Sequence, residues 1–254
     1  MQQIGERNMD SNDIERYKQY ICLPLDVNTA EEALQIVNEL KEYIGVFKVG
    51  LQLYTAEGPY VVKEIIKKGC KVFLDLKLHD IPNTVHNAVI ESSKLGASFL
   101  TIHLSGGSEM IKSAIDASKK SLENNRIKIL GVTMLTSITQ QQLKYELNIS
   151  KDMQEQVSSL VELGVKNGVD GIVCSAAELA YLRSKFEELF FVTPGIRPLW
   201  SEKNDQKRIA TPSIAIEEGS SLLVIGRPIL NAKNRKETII KILEEISYVH
   251  NKKV

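Results

Sequence analysis

From residue 20 onward, short runs of apolar and β-branched residues alternate with longer segments in which apolar positions recur with a helical period. The short runs predict strands at Ile21–Val27, Gly45–Leu51, Lys71–Leu78, Ser98–Leu104, Ile127–Met134, Val169–Ser175, Leu189–Thr193 and Ser221–Gly226. The segments between them predict helices at Ala30–Tyr43, Tyr60–Lys68, Thr84–Leu95, Ser108–Leu122, Met153–Asn167 and Ala176–Lys185, with a last one over Ala232–Val249. Strands this uniformly apolar belong to a parallel sheet whose two faces are both covered. Eight βα units in about 235 residues fit a (β/α)8 TIM barrel of the α/β class. A doubly wound open sheet would carry a G-x-G-x-x-G turn after its first strand, and Asp26-Val27-Asn28 stands there instead. No Gly/Ser-rich or Pro-rich linker divides the chain, so the expectation is one domain over residues 20–254, preceded by a polar N-terminal extension over residues 1–19.

Composition narrows the function. The 254 residues carry 32 basic and 32 acidic side chains, and this balance gives no global electrostatic reason to bind nucleic acid or an anionic membrane. No apolar run approaches the ~18 residues that span a bilayer. The polar start of the chain does not read as a secretory signal. Cys22, Cys70 and Cys174 form no C-x-x-C pair and read as buried, reduced thiols of a cytoplasmic protein. No H-E-x-x-H or Cys/His cluster points to a metal.

Barrel enzymes place their chemistry at the C-terminal ends of the strands. The third strand ends Asp75-Leu76-Lys77-Leu78-His79, and alternation puts Asp75, Lys77 and His79 on one face. In a barrel that face is the interior, where an unpaired ion is costly. An ion pair that plugs the barrel end would use the same two residues. Lys48 within the second strand, Asp26 closing the first and Asp80 just beyond the third favour a reaction centre, because they gather further charge at the tips of apolar strands.

A second constellation follows the seventh and eighth strands, as Thr193-Pro194-Gly195-Ile196-Arg197-Pro198 and Val224-Ile225-Gly226-Arg227-Pro228. Such segments are also ordinary turns. In a barrel, however, these two loops commonly build a phosphate site, and guanidinium forks suit phosphate oxygens. The polar loop from Pro198 to Asp205 reads as a lid. His103 reads as a core histidine and Cys174 as core, while Thr136-Ser137 offers hydroxyls either to a polar ligand or to a helix cap.

The run Phe73-Leu74-Asp75-Leu76-Lys77-Leu78-His79-Asp80-Ile81-Pro82-Asn83-Thr84-Val85 resembles the catalytic segment of the bacterial orotidine 5′-phosphate decarboxylases. Leu25-Asp26-Val27, Phe47-Lys48-Val49-Gly50, Val132 to Ser137, Asp205-Gln206 and the two phosphate-loop motifs are similar to that family in the same order. The resemblance implies decarboxylation of orotidine 5′-monophosphate to UMP, the last step of de novo pyrimidine synthesis, without metal or organic cofactor. It implies a charged tetrad of Lys48, Asp75, Lys77 and Asp80, with Lys77 as proton donor. It also implies a homodimer in which Asp80, Ile81 and Thr84 reach the neighbouring site. Asp26 and Lys48 would hold the ribose, Thr136 the pyrimidine, and Arg197, Gln206, Gly226 and Arg227 the 5′-phosphate.

Two other readings share parts of this pattern. Sugar-phosphate aldolases and decarboxylases of the same barrel superfamily resemble D-x-K-x-x-D but hold a divalent metal on acidic strand ends, where Lys48 is unsuited. A non-catalytic sensor of nucleotide phosphates would bind UMP and leave orotidine 5′-monophosphate intact.

Overall fold

The helix Ala30–Leu40 shows how the sequence pattern becomes structure: Ala33, Ile36, Val37 and Leu40 make one buried stripe, and Thr29 caps its start by accepting from the Glu32 N–H. Repeats of this unit surround eight parallel strands in the computed structural model, which describes residues 9–120, 126–200 and 210–252. The strands are β1 (Ile21–Pro24), β2 (Val46–Gly50), β3 (Lys71–Leu78), β4 (Phe99–His103), β5 (Lys128–Val132), β6 (Gly171–Val173), β7 (Phe190–Thr193) and β8 (Leu222–Val224). They pair in sequence order, and β8 closes on β1. The protein is therefore a TIM barrel.

Alternation along each strand divides the core in two. Leu23, Phe47, Leu74, Leu100, Ile129, Ile172, Phe191 and Leu223 point outward and pack, fully buried, under the helices. Cys22, Val46, Phe73, Phe99, Leu130, Val192 and Leu222 fill the barrel itself. Phe99 stands edge-on to Phe73 and is stacked on Phe190, so the lower barrel is solid. The charged side chains that face inward sit above this plug.

Several observed strands are shorter than their apolar runs: β1 stops at Pro24, and Leu25 and Val27 are buried in the loop beyond it. Short helices absent from the sequence expectation occupy the connections at Leu51–Glu57, Gln140–Tyr145 and Pro212–Glu217. Ahead of β1, Ser11–Tyr17 is helical, with Asp10 accepting from the Asp13 N–H as its cap. Tyr17 is buried, and the rings of Tyr17 and Tyr20 meet His250 on the last helix, Arg235–Lys252. No helix among the described residues is long and apolar enough to cross a membrane.

Candidate active site

Strands β2 and β3 build the centre of the site. Their register sets Lys48 beside Phe73 and Gly50 beside Asp75, which turns Lys48 and Asp75 toward the barrel interior. Lys48 Nζ lies 3.5 Å from Asp26 Oδ1 and 3.5 Å from Asp75 Oδ2, while Lys77 Nζ lies 2.9 Å from Asp75 Oδ1. Asp75 is thus held between two ammoniums in a site where its side chain is 13% exposed. Burial pushes its carboxyl up, but Lys48, Lys77 and the hydrogen bonds from Lys77 and Thr101 outweigh that effect and hold it below the usual carboxylate value. Gly50 makes room for the arrangement, since a Cβ there would stand 2.8 Å from Lys48 Nζ.

Asp75 and Lys77 share the cavity side of β3 while Leu74, Leu76 and Leu78 pack against the outer core, as alternation predicts. The ladder to β4, however, is interrupted just where the chemistry lies. Leu74 pairs with Leu100 and Leu78 with Ile102, so Asp75, Leu76 and Lys77 stand against the single residue Thr101. Lys77 takes up the extra length with φ 50°, in the left-handed region that a lysine seldom enters. Its N–H donates to Thr101 Oγ1 at 2.8 Å, and the Thr101 hydroxyl donates to Asp75 Oδ1 at 3.0 Å. His79 is exposed, its ring 5.5 Å from that of His103. His103 is half-buried rather than part of the core, and burial, with His79 and Lys77 nearby, lowers its pKa.

Lys48, Asp75, Lys77 and Thr136 line a cavity of about 180 Å³ whose remaining wall includes Phe73, Val132, Met134, Val173 and Val224. Thr136 is exposed at this cavity and is not a helix cap; Thr139 caps the helix that follows. Cys174 is both buried and part of the cavity wall, and burial raises its pKa, so the thiol stays protonated. Cys70, expected to be buried, is half-exposed.

Arg197 and Arg227 line a second cavity, of about 510 Å³, with Trp200 and Asn231 on its wall. Pro194 and Val224 line the first cavity, and each lies three residues before an arginine of the second. Three residues span at most ~10 Å, so the two cavities are neighbours at the barrel mouth. Gly226 stands between β8 and Arg227, where a Cβ would meet the Pro24 ring at 2.9 Å. This packing alone requires glycine there.

Other expected site residues are not gathered within the chain. Asp80, Ile81 and Thr84 are exposed and line neither cavity, and Asp80 Oδ1 accepts from the Ile81 N–H at 2.7 Å. Gln206 and the expected lid residues from 201 to 205 lie outside the described residues. The sequence reading missed Thr101 and Trp200. Thr101 carries no local signal, because its partners on β3 are 24 and 26 residues away.

Residues 19–242 match the family model described as orotidine 5′-phosphate decarboxylase / HUMPS family. Among curated proteins, the orotidine 5′-phosphate decarboxylase of Heliobacterium modesticaldum is 40% identical, over 91% of this chain and 96% of its own length. That of Syntrophomonas wolfei is 42% identical, over 89% of this chain and 97% of its own length. The crystal structure of orotidine 5′-phosphate decarboxylase from Lactobacillus acidophilus superposes with a TM-score of 0.80 at 38% identity, covering 90% of this chain and 99% of that one.

Proposed function

The chain belongs to the orotidine 5′-phosphate decarboxylase / HUMPS family and decarboxylates orotidine 5′-monophosphate to UMP and CO2 in pyrimidine biosynthesis, and we propose that Lys77 is the proton donor of that reaction. The observation that carries the assignment is the Lys77 ammonium, fixed 2.9 Å from Asp75 on the wall of the smaller cavity. The pyrimidine lies in this cavity, with C6 and its carboxylate toward Asp75 and Lys77. The C6–carboxylate bond breaks heterolytically, CO2 departs neutral and the electron pair stays on C6. A ring carbon delocalises that pair poorly, so the preorganised ammonium supplies the main stabilisation. Lys77 then gives its proton to C6 and is reprotonated from solvent.

Asp75 repels the substrate carboxylate, and that repulsion fades as CO2 leaves. Lys48 shares Asp75 with Lys77, orients it, and with Asp26 holds the ribose hydroxyls. Thr136 contacts the pyrimidine. Arg197 and Arg227 grip the 5′-phosphate in the neighbouring cavity, helped by the backbone at Gly226 and by Gln206. Binding energy gathered there offsets the repulsion at the reacting carbon. Asp80, Ile81 and Thr84 serve the site of a second copy in a homodimer, a reading supported by their exposure and by their absence from the walls of both cavities in their own chain. The chemistry requires no metal or organic cofactor, because the position between Asp26 and Asp75 that a divalent ion would take is filled by an ammonium.

The test is an absorbance assay with orotidine 5′-monophosphate in chelator-treated buffer. Wild-type turnover is expected to survive EDTA and to gain nothing from Mg2+. Lys77→Ala should keep the fold and lose at least ~10³-fold in kcat. A folded Lys77→Ala protein with undiminished turnover rejects the assignment.

A further inference from the structure

The interruption between β3 and β4 leaves the Lys77 amide with no carbonyl opposite it, because the strand ladder passes from Leu74–Leu100 directly to Leu78–Ile102. A buried amide without an acceptor is costly, and a lysine at φ 50° needs its surroundings to hold it there. Both demands are met by one side chain. Thr101 is fully buried, and its Oγ1 accepts the Lys77 N–H while its hydroxyl proton goes to Asp75 Oδ1. The same Asp75 oxygen accepts from Lys77 Nζ. The bonds form a closed ring: Lys77 N–H to Thr101, Thr101 to Asp75, and Asp75 back to the Lys77 ammonium.

We propose that Thr101 is a positioning residue of the reaction, one hydroxyl that fixes Lys77 at its backbone and, through Asp75, at its ammonium. The proposal rests on the assignment of Lys77 as proton donor. It follows from the ring that valine, which has nearly the shape of threonine, cannot replace it. Without the hydroxyl the Lys77 amide is orphaned, the left-handed backbone loses its tether and Asp75 loses a donor. The grips on phosphate and ribose involve other residues, so the loss falls on the chemical step. Asp75 also becomes easier to protonate once the hydrogen bond to its charged form is gone.

The experiment compares Thr101→Val, Thr101→Ser and Thr101→Ala with wild type, and runs Lys77→Ala alongside. Thr101→Val is expected to lower kcat by at least ~10-fold while KM and UMP affinity change less than ~3-fold, and to move the acidic limb of the kcat profile to higher pH. Thr101→Ser, which restores the hydroxyl, should recover most of the lost kcat and return the acidic limb toward wild type. If the valine variant does not fold, serine against alanine gives the same comparison, since the pair differs by one oxygen atom. An inactive Lys77→Ala beside a Thr101→Val, or Thr101→Ala, that matches Thr101→Ser in kcat and pH profile would overturn the role of Thr101 alone. An active Lys77→Ala would instead overturn the reading of Lys77 on which it rests.

Discussion

At the scale of single residues, the site depends on a carboxylate whose charge burial alone would disfavour. Asp75 is mostly buried, yet its pKa is held below the ordinary carboxylate value of 3.8 because Lys48, Lys77 and Thr101 all favour the charged form. In the unfolded chain these partners are gone and the ordinary value returns, so at intermediate acidity the unfolded state binds the proton that the folded state refuses. The stabilisation from Asp75 is therefore complete above about pH 4 and is lost as pH falls through the lower folded value. Asp75→Asn removes the charge permanently, leaving the Lys77 ammonium without its carboxylate and Lys48 with Asp26 alone. We expect it to cost about 3 kcal/mol at pH 7. Urea unfolding at pH 7 and near pH 3 checks this, because protonated Asp75 behaves as asparagine and the gap between the two proteins must narrow. A gap of equal size at both pH values would show that the folded state does not depress Asp75. His103 also disfavours acid, in a separate window: burial favours its neutral form, and the associated loss of stability begins as pH drops below the ordinary imidazole value of 6.5.

Elements explain why some of the site could be read from sequence and some could not. Parallel strands covered on both faces are almost wholly apolar, so Lys48, Asp75 and Lys77 stood out as charges that only a barrel mouth could accommodate. The strand limits were less legible, because Leu25, Val27 and Met134 continue the apolar pattern into buried or partly buried loops, and Leu104 into a single 3-10 turn. The helices at Leu51–Glu57 and Gln140–Tyr145 are too short to show a 3.6-residue period. Thr139 and Gln142 nonetheless form a capping box that was a readable signal for the second. The bulge in β3 has no local signature, because it arises from register against β4. Gly50 is a further element-level feature: it ends β2 with a bare backbone below the Lys48 ammonium. Gly50→Ala brings a methyl 2.8 Å from Lys48 Nζ, and only the flexible end of that side chain needs to move. Its φ of −94° suits alanine, so the fold should persist with Tm changed by less than ~4 °C. Displacement of Lys48 from Asp26 and Asp75 should lower kcat/KM at least ~10-fold, which steady-state kinetics with a parallel melting curve can resolve.

At the scale of the whole molecule, the unmet part of the site is the placement of Asp80. One chain supplies Lys48, Asp75 and Lys77 to the smaller cavity and two arginines to the larger one, while Asp80 turns back onto the Ile81 N–H. Ile81 is 67% exposed, and Thr84 is exposed beside it on the first turn of the helix Pro82–Lys94. A bulky apolar residue left open next to a catalytic strand fits a surface that a second copy covers. In a two-fold dimer, whatever one copy gives to its neighbour it also receives. Each site would then combine Lys77 from one chain with Asp80 from the other, and separate loss of either should be repairable by mixing. Lys77→Ala and Asp80→Ala homodimers are each expected to be inactive. Mixed dimers contain one site with both residues intact and one with neither, so an equal mixture at full exchange should show roughly a quarter of wild-type activity. Differently tagged chains allow exchange to be measured alongside decarboxylation. No activity in a mixture whose exchange is complete would mean that Asp80 does not act across the interface, and the exposed segment from Asp80 to Thr84 would need another role.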